Sequence, residues 1–169
     1  MITLVLGGAR SGKSSVAEGL AAAHPPPVTY VATMVPAGDA ELEARVEAHR
    51  RRRDLQWETV ESGADLAGLV RTLRGTVLVD SLGPWVSAHL DSSPDAGPAL
   101  SAALVERDGD TVIVSDEVGL AVHPSTAEGR RFRDALGALN HSVSTVADRA
   151  YLVVAGRALA LPPAGVPAP

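Results

Sequence analysis

The chain predicts a three-layer α/β fold built around a parallel sheet. Three observations carry that expectation. Apolar runs of strand length alternate with longer segments of helical period. Several runs, such as Thr76-Val77-Leu78-Val79 and Val112-Ile113-Val114, are continuous, as strands covered on both faces require. Between the first strand and the first helix lies Gly7-Gly8-Ala9-Arg10-Ser11-Gly12-Lys13-Ser14, which fits the phosphate-binding pattern G-x-x-x-x-G-K-[ST] at every fixed position.

The elements follow in order. Ile2–Leu6 reads as a buried strand, and Ser14–Ala23 as a helix whose positive N-terminal end faces the glycine-rich loop. Val28–Ala32 is the second strand, followed by a helix over Ala40–Arg53. A strand at Trp57–Val60 and a helix at Ala64–Arg74 come next, then a strand at Thr76–Asp80. Helices at Pro84–Leu90 and Ala99–Arg107 flank a loop-like stretch from Asp91 to Pro98. A strand at Thr111–Ser115 opens into a loop, Asp116 to Ser125, that contains Gly119 and Pro124. A long helix over Thr126–Val146 and a last strand at Ala150–Ala155 complete the pattern. Residues 1–161 are expected to form one nucleotide-binding domain, and 162–169 a Pro/Ala-rich tail with little to anchor it. In such sheets ligands bind at the C-terminal ends of the strands, so the loops after Leu6, Ala32, Asp80 and Ser115 should share one edge.

Bulk properties narrow the function classes. A length of 169 residues suits a single domain with a real core. Only 3% of residues are aromatic against 46% hydrophobic, so the core must come from Val, Leu and Ala. A net charge of −5 disfavours a nucleic-acid surface. With no cysteine, disulfides, thiolate metal sites and cysteine nucleophiles are excluded. No apolar run approaches the ~20 residues of a membrane span. The first residues read as a strand, not as a basic-then-apolar leader, so a cytoplasmic location is expected.

Lys13 is the one lysine; the chain otherwise uses arginine for positive charge. A compact ammonium on a flexible stem can follow a β/γ-phosphate in a way that a planar guanidinium cannot. The glycines let backbone N–H groups turn toward phosphates, and Ser14 can offer its hydroxyl to Mg²⁺. Asp80 ends an apolar strand, where phosphate-loop enzymes place a carboxylate that holds Mg²⁺; the same position also suits a helix cap. Asp116 and Glu117 end a second such strand and could face nucleotide, metal or acceptor hydroxyl, or begin a solvated loop. Arg45, His49 and Arg53 stand four apart, on one face of a helix. A neutral imidazole is a good nucleophile toward phosphorus, and flanking guanidiniums would hold the attacked phosphates. The same spacing also suits a solvated helix face. His24, His89, His123 and His141 have no comparable setting, and Arg130-Arg131-Phe132-Arg133-Asp134 reads as a surface charge cluster.

Together these residues resemble the bifunctional adenosylcobinamide kinase/adenosylcobinamide-phosphate guanylyltransferase family of cobalamin biosynthesis. The likeness runs from about Ile2 to Gly156. Its markers are Gly7 to Ser14, Tyr30-Val31-Ala32-Thr33, Arg45-Val46-Glu47-Ala48-His49 with Arg53, and Trp57-Glu58-Thr59-Val60-Glu61. They continue through Val79-Asp80-Ser81-Leu82, Trp85-Val86, Ser115-Asp116-Glu117-Val118-Gly119, Arg131-Phe132-Arg133-Asp134 with Gly137 and Asn140, Ala147-Asp148, and Leu152-Val153-Val154-Ala155-Gly156. The resemblance implies a phosphate-loop NTPase with a RecA-like, mostly parallel sheet. It implies phosphorylation of the adenosylcobinamide hydroxyl by a nucleoside triphosphate, ATP or GTP, then transfer of GMP from GTP to the new phosphate through a guanylyl-histidine. The family's histidine follows R-[IV]-x-x-H, which here is His49. Nucleotide contacts carry over to Gly7, Gly8, Ala9, Arg10, Ser11, Gly12, Lys13 and Ser14, to Thr33, Met34 and Val35, to Arg50, Arg51, Arg52 and Arg53, and to Glu61 and Asp80. Lys13 and His49 are then the catalytic candidates, and Ser14, Asp80 and Glu117 the Mg²⁺ candidates, Glu117 ranking above Asp116 because Asn or Glu is frequent in the family at the position of Asp116. A homotrimer with sites near subunit boundaries is implied as well.

Two rivals remain. A phosphate-loop kinase of another small metabolite would need no nucleophilic histidine. A GTPase switch would be consistent with Asp80-Ser81-Leu82-Gly83, which fits D-x-x-G. It would lack the [NT]-K-x-D guanine motif, since no lysine follows Lys13.

Overall fold

The computed structural model describes residues 1–34, 47, 56–92 and 96–163. Among the described residues seven strands form one sheet: β1 (Ile2–Gly7), β2 (Val28–Ala32), β3 (Glu58–Glu61), β4 (Thr76–Asp80), β5 (Thr111–Asp116), β6 (Arg149–Val154) and β7 (Arg157–Leu161). Their order is β3-β2-β4-β5-β1-β6-β7, with every pairing parallel except β6 to β7. The described helices are α1 (Lys13–Ala22), α2 (Leu66–Thr72), α3 (Leu82–His89), α4 (Ala96–Glu106) and α5 (Ala127–Val146).

The two-residue period of a strand divides the continuous apolar runs between two faces. Leu4, Val77, Val79 and Ile113 join Leu66, Val70, Trp85, Leu100, Leu136 and Val143 in a core under α2 to α5. Val5, Leu78, Val112 and Val114 face the other way, onto Ala17 and Ala21 of α1. This is why these strands carry no polar face. The small side chains of α1 let that helix approach closely, and the loop preceding it is thereby held against the sheet edge.

Two helices that contain a proline start earlier than the sequence suggests. α3 begins at Leu82 and α4 at Ala96, so Pro84 and Pro98 lie in first turns. A proline there gives up no intrahelical hydrogen bond. The loop expected over Asp91–Pro98 therefore yields its last three residues to α4. α2 is shorter than expected because Asp65 caps it, accepting from the Gly68 amide at 2.7 Å. Thr126 caps α5 in the same manner through the Gly129 amide. β7 has no counterpart among the expected elements. Its residues are mostly exposed, with no buried alternation to announce a strand. The turn is Ala155-Gly156, both at positive φ (51° and 76°), the combination a two-residue hairpin needs. The expected helix over Ala40–Arg53 falls outside the described residues, apart from Glu47.

Candidate active site

Four strand ends build the site. Register sets Gly7 of β1 beside Asp116 of β5, and Asp80 of β4 beside both Val114 of β5 and Ala32 of β2. Ala32 is in turn paired with Glu61 of β3. The loops after β1, β2, β4 and β5 thus share one edge.

The glycine-rich loop leaves β1 at Gly7 and enters α1 at Lys13. Gly7 admits no side chain, because a Cβ would lie 2.5 Å from Ser11 Oγ and 2.8 Å from the Val153 carbonyl. Arg10 and Gly12 take φ of 57° and 92°, which curls the backbone between Gly8 and Ser11. The curl closes with the Ser11 amide on the Gly8 carbonyl at 3.2 Å. Gly156, in the β6–β7 turn, braces the loop by donating to the Ser11 carbonyl at 2.7 Å. Gly8, Ala9, Arg10 and Gly12 are exposed, whereas Ser11 and Lys13 are buried.

Lys13 is only 6% exposed. Its ammonium donates to the Gly8 carbonyl at 3.2 Å and lies 2.7 Å from Asp116 Oδ1. Ser14 Oγ donates to Asp80 Oδ1 at 3.2 Å, and the Tyr30 hydroxyl donates to Asp80 Oδ2 at 3.0 Å. Thr33 ties β2 to the end of β4: its hydroxyl donates to the Ser81 carbonyl at 2.6 Å and accepts from the Ser81 amide at 2.8 Å. The Asp80–Ser81 peptide between them is cis. Met34 is half-buried beside Thr33, and Glu61 is exposed farther along the edge.

Glu117 turns elsewhere. Its carboxylate accepts from the Gly119 amide at 2.8 Å and the Leu120 amide at 3.0 Å, closing its own turn. Asp116, ranked below it from sequence, is the carboxylate brought to Lys13. The signal was its place at the end of an apolar strand, as with Asp80. Tyr30 was also missed as a site residue, because it reads as core. Val35, Arg45, His49, Arg50, Arg51, Arg52 and Arg53 lie outside the described residues.

The arrangement has clear chemical capacity. A buried ammonium beside a glycine-rich loop at a helix N-terminus suits a chain of phosphates. The Ser14 hydroxyl and Asp80 carboxylate are hard oxygen donors. A small divalent cation that takes one or two protein ligands and completes its shell with phosphate and water suits such a pair. Among the described residues, no three acidic, histidine or cysteine side chains gather into a metal cluster of their own.

Fold and site together define a phosphate-loop nucleotide-binding protein. The fold likeness extends to an ATPase of the type III secretion system of pathogenic bacteria, at TM-score 0.54 and 10% identity over 89% of this chain and 50% of that one. A family model described as cobinamide kinase / cobinamide phosphate guanyltransferase matches residues 3–161, and the chain belongs to that family. It is 38% identical to the bifunctional adenosylcobalamin biosynthesis protein CobP of Pseudomonas aeruginosa, covering 99% of each chain. It is 33% identical to the bifunctional adenosylcobalamin biosynthesis protein CobU of Salmonella typhimurium, over 92% of this chain and 97% of that one. No helix among the described residues is long and apolar enough to cross a membrane.

Proposed function

We propose that this enzyme phosphorylates adenosylcobinamide and then transfers GMP from GTP to adenosylcobinamide phosphate, through a guanylyl-histidine at His49. The observation that carries the reading is the Lys13, Ser14 and Asp80 constellation in a chain matched by the family model over residues 3–161. In the first step, Lys13 and the amides of Gly8 to Ser14 hold the β/γ-phosphates of ATP or GTP, and the corrinoid hydroxyl attacks the γ-phosphorus. Ser14 and Asp80 would hold Mg²⁺, which when bound screens charge developing on the transferred group. Thr33, Met34, Val35 and Glu61 line the nucleotide on the β2–β3 side. Glu117, with its carboxylate engaged in its own turn, serves the metal only through intervening water.

In the second step, an imidazole nitrogen of His49 attacks the α-phosphorus of GTP and pyrophosphate leaves. A phosphate oxygen of adenosylcobinamide phosphate then displaces His49, giving the GDP-linked corrinoid and free histidine. Arg50, Arg51, Arg52 and Arg53 neutralise the phosphates at that site. Spacing and family resemblance support these assignments. The reading includes a cytoplasmic location and a homotrimer, the latter tested by light scattering on the purified chain.

Intact mass after incubation with GTP and Mg²⁺ tests the covalent step. A GMP adduct, labile in acid, stable in base and absent from His49→Ala, is expected. An adduct that persists in His49→Ala refutes the histidine, and γ-phosphate labelling indicates simple phosphorylation by a kinase of another kind.

A further inference from the structure

Lys13 already holds an anion in this structure, and that anion belongs to the chain. We propose that Asp116 is an internal competitor for the phosphate subsite: its carboxylate occupies the Lys13 ammonium until a triphosphate displaces it, and so sets nucleotide affinity. The proposal rests on the phosphate-loop reading of Lys13.

A nearly buried ammonium needs a compensating charge, and at 2.7 Å the Asp116 carboxylate supplies it. Three features deliver that carboxylate. Strand register sets Asp116 beside Gly7, where the loop begins. Asn140 Nδ2, from α5, donates to the Asp116 carbonyl at 3.0 Å and fixes the backbone at the strand end. Gly83 of α3 leaves the space that Asp116 Oδ2 fills, since a Cβ there would overlap that oxygen. Glu117 does not share the task, being turned onto the Gly119 and Leu120 amides.

A β/γ-phosphate approaching Lys13 brings negative charge to the ammonium that Asp116 holds. Two anions on one cation repel, and the site is too shielded for water to screen them fully. Binding must therefore break or stretch the Lys13–Asp116 pair. A neutral side chain of the same shape changes both ends of the equilibrium in one direction. The empty site loses the compensation for Lys13, and the loaded site loses the repulsion. Asp116→Asn should tighten binding, whereas a residue that helps hold nucleotide or metal gives the opposite sign when neutralised.

The experiment is calorimetric titration of the full chain with inorganic pyrophosphate and with GTP, each in EDTA and in Mg²⁺. Wild type, Asp116→Asn, Lys13→Ala and the double variant are compared. Asp116→Asn is expected to lower Kd about tenfold for both probes, the scale of a charge-assisted contact. It should also melt at a lower temperature without ligand yet gain more from ligand. In the Lys13→Ala background the tightening should shrink, because the pair no longer exists and only the direct repulsion between Asp116 and phosphate remains. Unchanged or weaker binding by Asp116→Asn overturns the proposal, as does weakening confined to Mg²⁺ or tightening that Lys13→Ala leaves undiminished. Wild-type affinity in Lys13→Ala overturns the phosphate-loop reading itself. If Asp116→Asn does not fold, Gly83→Ala moves the carboxylate off Lys13 without removing its charge. It too must tighten pyrophosphate binding, and equal or weaker binding refutes the competition.

Discussion

Asp80→Asn separates two roles that the same geometry permits. Asp80 accepts hydrogen bonds from Ser14 Oγ at 3.2 Å and from the Tyr30 hydroxyl at 3.0 Å. If it only anchors those hydroxyls, its removal costs what neutral and charged hydrogen bonds contribute, about 1–3 kcal/mol. Asparagine keeps the shape and one acceptor, and the hydroxyls can rotate, so the structural loss should fall at the low end. If Asp80 also holds Mg²⁺, the variant loses a hard anionic ligand that asparagine cannot replace. Turnover should then drop by about two to three orders of magnitude. The Mg²⁺ concentration at half-maximal rate should rise with it. Tyr30→Phe is the control: it deletes one hydrogen bond to the same carboxylate and should slow turnover by no more than about tenfold. The assay is initial rate against Mg²⁺ at saturating nucleotide, with circular dichroism to check the fold. A Mg²⁺ midpoint for Asp80→Asn equal to wild type, or rates matching Tyr30→Phe, would refute the metal role.

Three further outcomes are expected. Gly156→Ala forces a side chain into φ 76°, a strain of about 1–2 kcal/mol, in the turn that braces Ser11; pyrophosphate affinity should fall, and an unchanged Kd would show that the brace is idle. Arg107 is buried at the opposite end of the sheet and donates to Thr111 Oγ1 and to the carbonyls of Asp110, Leu73 and Gly75, while burial pulls its pKa below the ordinary value. Arg107→Ala strands these acceptors and should cost about 3 kcal/mol, or about 10 °C in Tm, with nucleotide affinity retained below the transition; melting within two degrees or so of wild type would contradict this. Asp110 is held below its ordinary pKa chiefly by a hydrogen bond from the Met1 ammonium, at 3.0 Å. A carboxylate lowered on folding stabilises above its unfolded pKa and loses that contribution as pH falls through the folded one. The stability gap between wild type and Asp110→Asn should thus be full near neutrality and close in acid; a gap independent of pH would remove the ion pair from the account.

The linear sequence by itself determined the layers and their order. Alternating apolar runs and helical periods can be read locally, because burial on two faces leaves continuous Val/Leu/Ile strands. The phosphate loop was legible for the same reason: its chemistry lies in eight consecutive residues. Asp80 was legible as the polar end of an apolar run, although its contacts with Ser14 and Tyr30 were not. Tertiary structure alone decided those contacts, since residues 14, 30 and 80 meet only through the register of β2 on β4 and the docking of α1. It also decided between two adjacent acids. Asp116 and Glu117 are equivalent in a string, but consecutive residues at a strand end point to opposite sides, and the second was drawn into its own turn. The β6–β7 hairpin escaped the sequence because an exposed edge has no burial pattern, and its Ala-Gly turn lacks the usual Asn or Asp. Its role, bracing Ser11 through Gly156, is a contact across more than a hundred residues. Local patterns encode which face is buried; only the folded chain determines which distant groups are brought within hydrogen-bonding reach.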